Sequence, residues 1–293
     1  MLIDYRYHIG SFVAIFVALL LGILVGIGLA PNPDEFEDKV TMLKEEYRRT
    51  REAKMEELKA LEEANRECDM LTRETVAAVI RNRLADKQIA LILGRDFDRS
   101  PLPENLRAAL RQAGANITST TTVTREFVRL SQPIKQRVSE RLSLYPPPGV
   151  HFRTVIAEAV AKDLAQGHPD LILDLHTAGL LKSTADSEYT IKPDAVVILG
   201  GMNDLTDAAP ERIDLPIIQT LTEFDIRVVG VEAGDAAIST IPAYKAAGIP
   251  TVDNVDSQAG RLATILVLEG ADGHYGTKES ADSFLPPILS PDN

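Results

Sequence analysis

Sulfur, glycine, proline and charge are each missing from stretches of this sequence where the absence excludes something. A single cysteine, Cys68, excludes an intramolecular disulfide and any thiolate metal site built within one chain. The five histidines, His8, His151, His168, His176 and His274, never fall three or four residues apart, so no helix turns a pair of imidazoles toward one ion. Neither Gly-x-Gly-x-x-Gly nor a Walker loop is present, which leaves a phosphate cradle unsupported. Basic residues are outnumbered, and the net charge of −12 argues against nucleic acid or an anionic membrane face as partner of the soluble part. Two further absences organise the chain: no charge from Ile9 to Ala30, and no glycine or proline from Asp34 to Leu84.

The run IGSFVAIFVALLLGILVGIGLA, Ile9 to Ala30, has Ser11 as its only clearly polar side chain. As a helix it would reach roughly 33 Å, enough for a hydrocarbon core of about 30 Å, and it predicts a single N-terminal transmembrane helix over 9–30. Gly10, Ala14, Ala18, Gly22, Gly26 and Ala30 set a small residue at every fourth position, a row that lets helix backbones approach in lipid. The expected localisation is a bacterial cell membrane, crossed once, with a cytoplasmic tail over 1–8 and the bulk of the chain extracytoplasmic. A cleaved signal peptide is the alternative, but its apolar region usually runs only about 7–15 residues.

Pro31-Asn32-Pro33 reads as an ending and a restart, with Asp34 and Glu35 suited to a new helix N-terminus. A three-four spacing then runs through Phe36, Val40, Leu43, Tyr47 and Thr50. It slips by one step at Lys54 and Leu58, and resumes with Leu61, Asn65, Cys68, Thr72, Thr75, Val79 and Asn82. This heptad seam with one stutter predicts a coiled-coil stalk over 34–84 and a homodimer through span and coiled coil. The competing reading is a single charged helix held by pairs such as Glu45–Arg49.

Beyond Leu84, short apolar runs alternate with helical segments. Strands are expected at Ile89–Leu93, Ile117–Val123, Leu171–Leu175, Ala195–Leu199, Ile226–Val231 and Ile249–Val252. Helices are expected at Glu104–Ala113, Val155–Gln166, Glu211–Thr222, Ile241–Ala247 and Gln258–Leu268, with pieces between Glu126 and Leu144. The alternation predicts an α/β domain over 85–270, an open, doubly wound, mostly parallel sheet, followed by a tail over 271–293.

Ligands of such sheets bind beyond the carboxyl ends of the strands. The residues expected there form a candidate crevice of Asp174, His176, Asn203, Asp204, Glu232, Asp253, Asn254 and Asp256, although helix caps and turns use the same residue types. Ser239, His176 and Asp174 show no spacing that demands a catalytic set, so no catalytic or cofactor-binding residue is assigned and no enzyme is expected. Cu(I) prefers thiolate and thioether ligands, and Cys68, Met70 and Met55 form no motif that would hold it. The metal residues stay unknown.

Two segments carry a resemblance. MLIDYRYHIGSFVAIFVALLLGILVG at the start and GIPTVDNVDSQAGRLATILVLEGADGHYGTK near the end resemble the mycobacterial copper transport protein B family, across span, stalk and α/β domain alike. The resemblance implies copper transport or copper homeostasis. A related actinobacterial member implies instead a cell-envelope or division protein as partner, in a scaffold that regulates peptidoglycan hydrolysis. No copper-ligand motif carries over, so copper enters by resemblance only and no cofactor is evident. A channel needs a polar lining, which Ile9–Ala30 does not offer, so that segment reads as an anchor rather than a pore. A third reading makes the strand-end crevice a small-molecule sensor.

Overall fold

The computed structural model describes residues 5–28, 33–94, 97, 100–184, 187–201 and 212–287. The chain divides into two compact units, Met1–Asp69 and Met70–Asn293.

Helix α1 is described over Tyr5–Gly28, and Ala30 of the expected span lies outside the described residues. No helix among the described residues is long and apolar enough to cross a membrane, and this overturns the expected transmembrane helix and the single-pass topology drawn from it. Within this single chain a Cβ added at Gly10, Gly22 or Gly26 would meet nothing within 4 Å.

Helix α2 (Pro33–Ile80) is unbroken over 48 residues, as the lack of glycine and proline requires. Its described residues up to Thr75 are nearly all exposed, including the seam residues Leu43, Tyr47, Leu58 and Leu61. Ion pairs Arg49–Glu45 (3.9 Å) and Arg48–Glu52 (3.8 Å) support it at i,i+4, each worth only a few tenths of a kcal/mol, about 0.3–0.5. Val76 and Ile80, on its last turns, are buried, and Leu84 beyond them is fully buried. Asn82 (φ 60°) and Asp86 (φ 63°) turn the chain out of the helix toward the first strand.

Among the described residues the second unit has seven strands: β1 (Gln88–Leu93), β2 (Asn116–Val123), β3 (Leu181–Ser183), β4 (Ala195–Leu199), β5 (Arg227–Val231), β6 (Thr251–Val252) and β7 (His274–Tyr275). Their order is β3-β2-β1-β4-β5-β6-β7, and every pairing is parallel except β2 with β3. Strands two and three lie to one side of β1 and the rest to the other, so the winding reverses between β1 and β4.

Both faces of the sheet are covered, and the alternation of side chains along each strand shows it. Ala90, Ile92, Val196, Ile198 and Val228 point into one apolar cluster with α5 (Gln132–Leu142), α6 (Phe152–Gln166), α7 (Asp170–Thr177), α8 (Asp214–Glu223) and α9 (Ile241–Ala246). Ile89, Leu91, Leu93, Val197, Leu199, Val229 and Val231 point into the other, with the end of α2, α3 (Leu102–Gln112) and α10 (Gln258–Glu269). A short α4 (Arg125–Arg129) follows β2, its N-cap Thr124 accepting a hydrogen bond from the Phe127 amide. Gly230 lets the Tyr244 ring lie flat on β5; a Cβ there would sit 2.4 Å from Tyr244 Cδ2.

The expected strand Leu171–Leu175 is helical, lying inside α7. Ile172 and Leu175, three apart, are buried while Leu173 between them faces out, and the Asp163 carboxylate accepts the free Leu171 amide of the first turn. In the expected C-terminal tail, β7 adds a seventh strand.

Candidate functional site

The reversal of winding between β1 and β4 opens a crevice at the carboxyl ends of the strands. A cleft of about 300 Å³ lies there. Phe97, Ser100, Pro101, Leu102 and Asn105 line it from the turn after β1 and the start of α3. Gly201 after β4, Ala233, Asp235 and Ala236 after β5, and Asp256 after β6 complete it. Gly201 has φ +85°, and a Cβ would stand 3.0 Å from Ala236 Cβ, so only glycine brings this turn so close to the next one.

Behind the cleft wall a fully buried carboxylate ties three segments together. Glu232 follows β5, and its Oε1 accepts hydrogen bonds from Ser239 Oγ (2.6 Å) and Lys278 Nζ (2.6 Å). Oε2 accepts from the Thr240 amide (2.8 Å) and the Thr240 hydroxyl (3.3 Å). Lys278 also donates to the Ala233 carbonyl (3.1 Å), and the Gly201 amide donates to Thr240 Oγ1 (3.0 Å). A buried carboxylate survives when its charge is paired and its lone pairs are filled, and Glu232 meets both conditions.

Asp253 does the same work for the C-terminal segment. Its Oδ1 accepts the Thr277 amide (2.7 Å) and its Oδ2 the Lys278 amide (3.0 Å). Beside it, Lys245 donates to Asp282 (2.9 Å) and to the Ser280 carbonyl (3.1 Å). His274 shares a hydrogen bond with Thr251 (3.0 Å), and burial followed by the charge of Lys245 lowers the imidazole below its ordinary value. Close to Thr240, Tyr244 donates to Asp214 (2.6 Å). Burial, and then the Asp214 charge, raise that phenol well above its ordinary value, so it stays a neutral donor.

The residues expected in the crevice therefore have several fates. Asp256 lines the cleft, its Oδ1 accepting the Gly234 amide (2.7 Å). Glu232 and Asp253 stand at the strand ends but are consumed by the bonds above. Asn254 is buried at the same end, and its side-chain oxygen has no hydrogen-bond partner among the described residues. Asn203 and Asp204 lie outside the described residues. Asp174 and His176 leave the crevice, because their segment is α7; Asp174 pairs there with Arg141 at 2.5 Å. Ser239 is engaged with Glu232 and joins no set with those two.

Asp235, Asn105, Ser100 and Phe97 are cleft residues that sequence reading did not select, although Asp235 sits in the turn directly after β5. Lys278 was missed too, despite its place at the end of the GHYGTK segment. Among the described residues no three His, Cys, Asp or Glu side chains gather in a way that could hold a metal ion. Cys68 is exposed on α2.

Comparison with known proteins covers the whole architecture. The family model described as "Copper transport outer membrane protein, MctB" matches residues 2–286. Proteins named Copper transporter MctB, from Mycobacterium bovis and two strains of Mycobacterium tuberculosis, are 24% identical over 320 aligned positions, covering 96% of this chain and 98% of theirs. A match of that extent, running from α1 through α2 to the strand-end segment that holds Lys278, means that this chain belongs to the MctB family.

Proposed function

We propose that this protein takes part in copper transport and homeostasis at the cell envelope, as a non-enzymatic, self-associating scaffold whose α/β unit acts outside the cytoplasm. The single observation that carries the copper reading is the extent of the match: relatives named for copper transport align over 96% of the chain. Copper is cargo in this reading. The test is deletion of the gene followed by measurement of cell-associated copper and of growth under copper load. Altered accumulation restored by the intact gene is expected; unchanged accumulation and tolerance would refute it.

The self-association rests on α2. Leu43 and Tyr47 are 70% and 73% exposed, and Leu58 and Leu61 are each 54% exposed, on an unbroken helix with heptad spacing. A second copy of α2 is the partner that this repeat fits. The same exposed helix favours a second reading, a scaffold for envelope or division proteins that regulates peptidoglycan hydrolysis. Crosslinking in cells separates the two: recovery of the chain with division proteins and normal copper handling in the deletion strain would select the second.

A further inference from the structure

The strand-end cleft takes no part in the copper reading, and its lining is chemically one-sided. Among the described residues it holds two carboxylates, Asp235 and Asp256, and no lysine, arginine or histidine. Asp235 is exposed and makes no hydrogen bond or ion pair among the described residues, while Asp256 commits one oxygen to the Gly234 amide and feels the charge of Arg261, whose guanidinium donates to the Val255 and Asp256 carbonyls. The ammonium of Lys278 is already bound by Glu232 and the Ala233 carbonyl.

The start of α3 does not compensate as an anion site. Pro101 and Pro103 have no amide hydrogen, the Leu102 amide donates to Ser100 Oγ (3.2 Å), and the Asn105 amide donates to the Pro101 carbonyl (3.1 Å). A phosphate or carboxylate ligand would face two negative charges with few donors to offset them. A metal ion would lack a third ligand, since no group of three is present among the described residues. The remaining lining is apolar and aromatic, with Phe97, Leu102 and Ala236 beside the Asn105 amide and the Ser100 hydroxyl. A volume of about 300 Å³ has room for roughly ten water molecules, hence for a ligand of about that many heavy atoms.

We propose that this cleft binds a small organic cation, an ammonium group on a short apolar body. Asp235 and the free oxygen of Asp256 carry the charge. Phe97 and Leu102 cover the methylenes, the ring face adding attraction for the cation. Asn105 and Ser100 supply the side-chain hydrogen bonds that orient the ligand.

The experiment is calorimetric titration of the full chain, held in a non-ionic detergent that covers the exposed apolar residues of α1. Three probes of one chain length are used: cadaverine, 1,5-pentanediol and glutarate. Saturable binding of cadaverine alone is expected, weakened by added salt. Asp235→Asn should weaken it about tenfold, the effect of one charged hydrogen bond, and Asp235→Lys should abolish it. Because Asp235 supports no described contact, both variants should melt like the parent, which separates lost binding from lost fold. Equal binding of the diol, no saturable cadaverine binding, or cadaverine affinity unchanged in both Asp235→Asn and Asp256→Asn would overturn the proposal. The readout is separate from copper accumulation, so either proposal can fail without the other.

Discussion

Lys278 provides the sharpest test of how the cleft wall is held. Replacing it with methionine keeps most of the stem and removes the charge paired with Glu232, which is 0% exposed. Breaking a buried ion pair from one side costs about 3–5 kcal/mol, because the partner stays charged and desolvated. Two features place this site at the lower end: the Lys278 side chain keeps 22% exposure, and Glu232 retains bonds from Ser239 and Thr240. A loss of about 3 kcal/mol lowers the melting temperature of a domain this size by about 6–12 °C. Scanning calorimetry of the full chain reads this directly. Glu232→Gln should cost less, since Lys278 can turn its ammonium toward water. The double variant should then be at least about 1 kcal/mol more stable than the sum of the two losses predicts, which is the mark of a coupled pair. If Lys278→Met melts within about 1–2 °C of the parent, or the two losses add without coupling, the pair does not hold the wall and the reasoning fails.

Three further outcomes are expected. Gly276 has φ +142°, and a Cβ there would lie within van der Waals overlap of the Asp253 carboxylate, so Gly276→Ala should lower stability by about 2–4 kcal/mol; an unchanged denaturant midpoint would mean that Asp253 can swing aside. His274 is depressed in the folded state, so its contribution is full above the ordinary imidazole value of about 6.5 and is lost as pH falls below it. Melting curves from pH 7.5 to 5 should therefore slope more steeply for the parent than for His274→Asn, and identical slopes would discount the imidazole. Mild oxidation should join two chains through Cys68, because a disulfide needs Cα atoms about 4.4–6.8 Å apart and a parallel, in-register α2 pair brings that seam position together. In such a pair Glu46–Arg51 contacts attract while Lys39–Lys44 and Glu57–Glu62 contacts repel, so added salt should strengthen the dimer; a monomer on a non-reducing gel at every salt concentration would reject it.

Much of the sheet was readable from residue patterns. β4 is an apolar run throughout, and β1 and β5 are apolar runs after their first residues Gln88 and Arg227, because both faces of a doubly covered sheet are dry, and such runs announce themselves. The segment around Leu171–Leu175 misled for the same reason: five residues with four leucines and isoleucines fit a buried strand or one side of a short helix equally well, and Asp163, distant in sequence, helps to start the helix. β6 falls at the end of the expected Ile249–Val252 strand, whereas β7, two residues long, is too short for any periodicity. At the site, acids at strand ends were visible, but their duties were not. Whether Asp253 faces a ligand or two backbone amides depends on Thr277 and Lys278 arriving from 24 and 25 residues away. Asp235, by contrast, stays free because nothing described comes to meet it. The helix α1 was visible as an apolar run.

The margins of the sheet have a consequence for assembly. On one side it ends in β3, three residues long and antiparallel to its neighbour; on the other it ends in β7, two residues long, with Ser283 bridging to Tyr275 just beyond. Such abbreviated borders offer an incoming strand little backbone to zip onto, so templated growth from sheet to sheet is starved at both ends. Edge-to-edge pairing of the α/β unit is thereby disfavoured at both described borders.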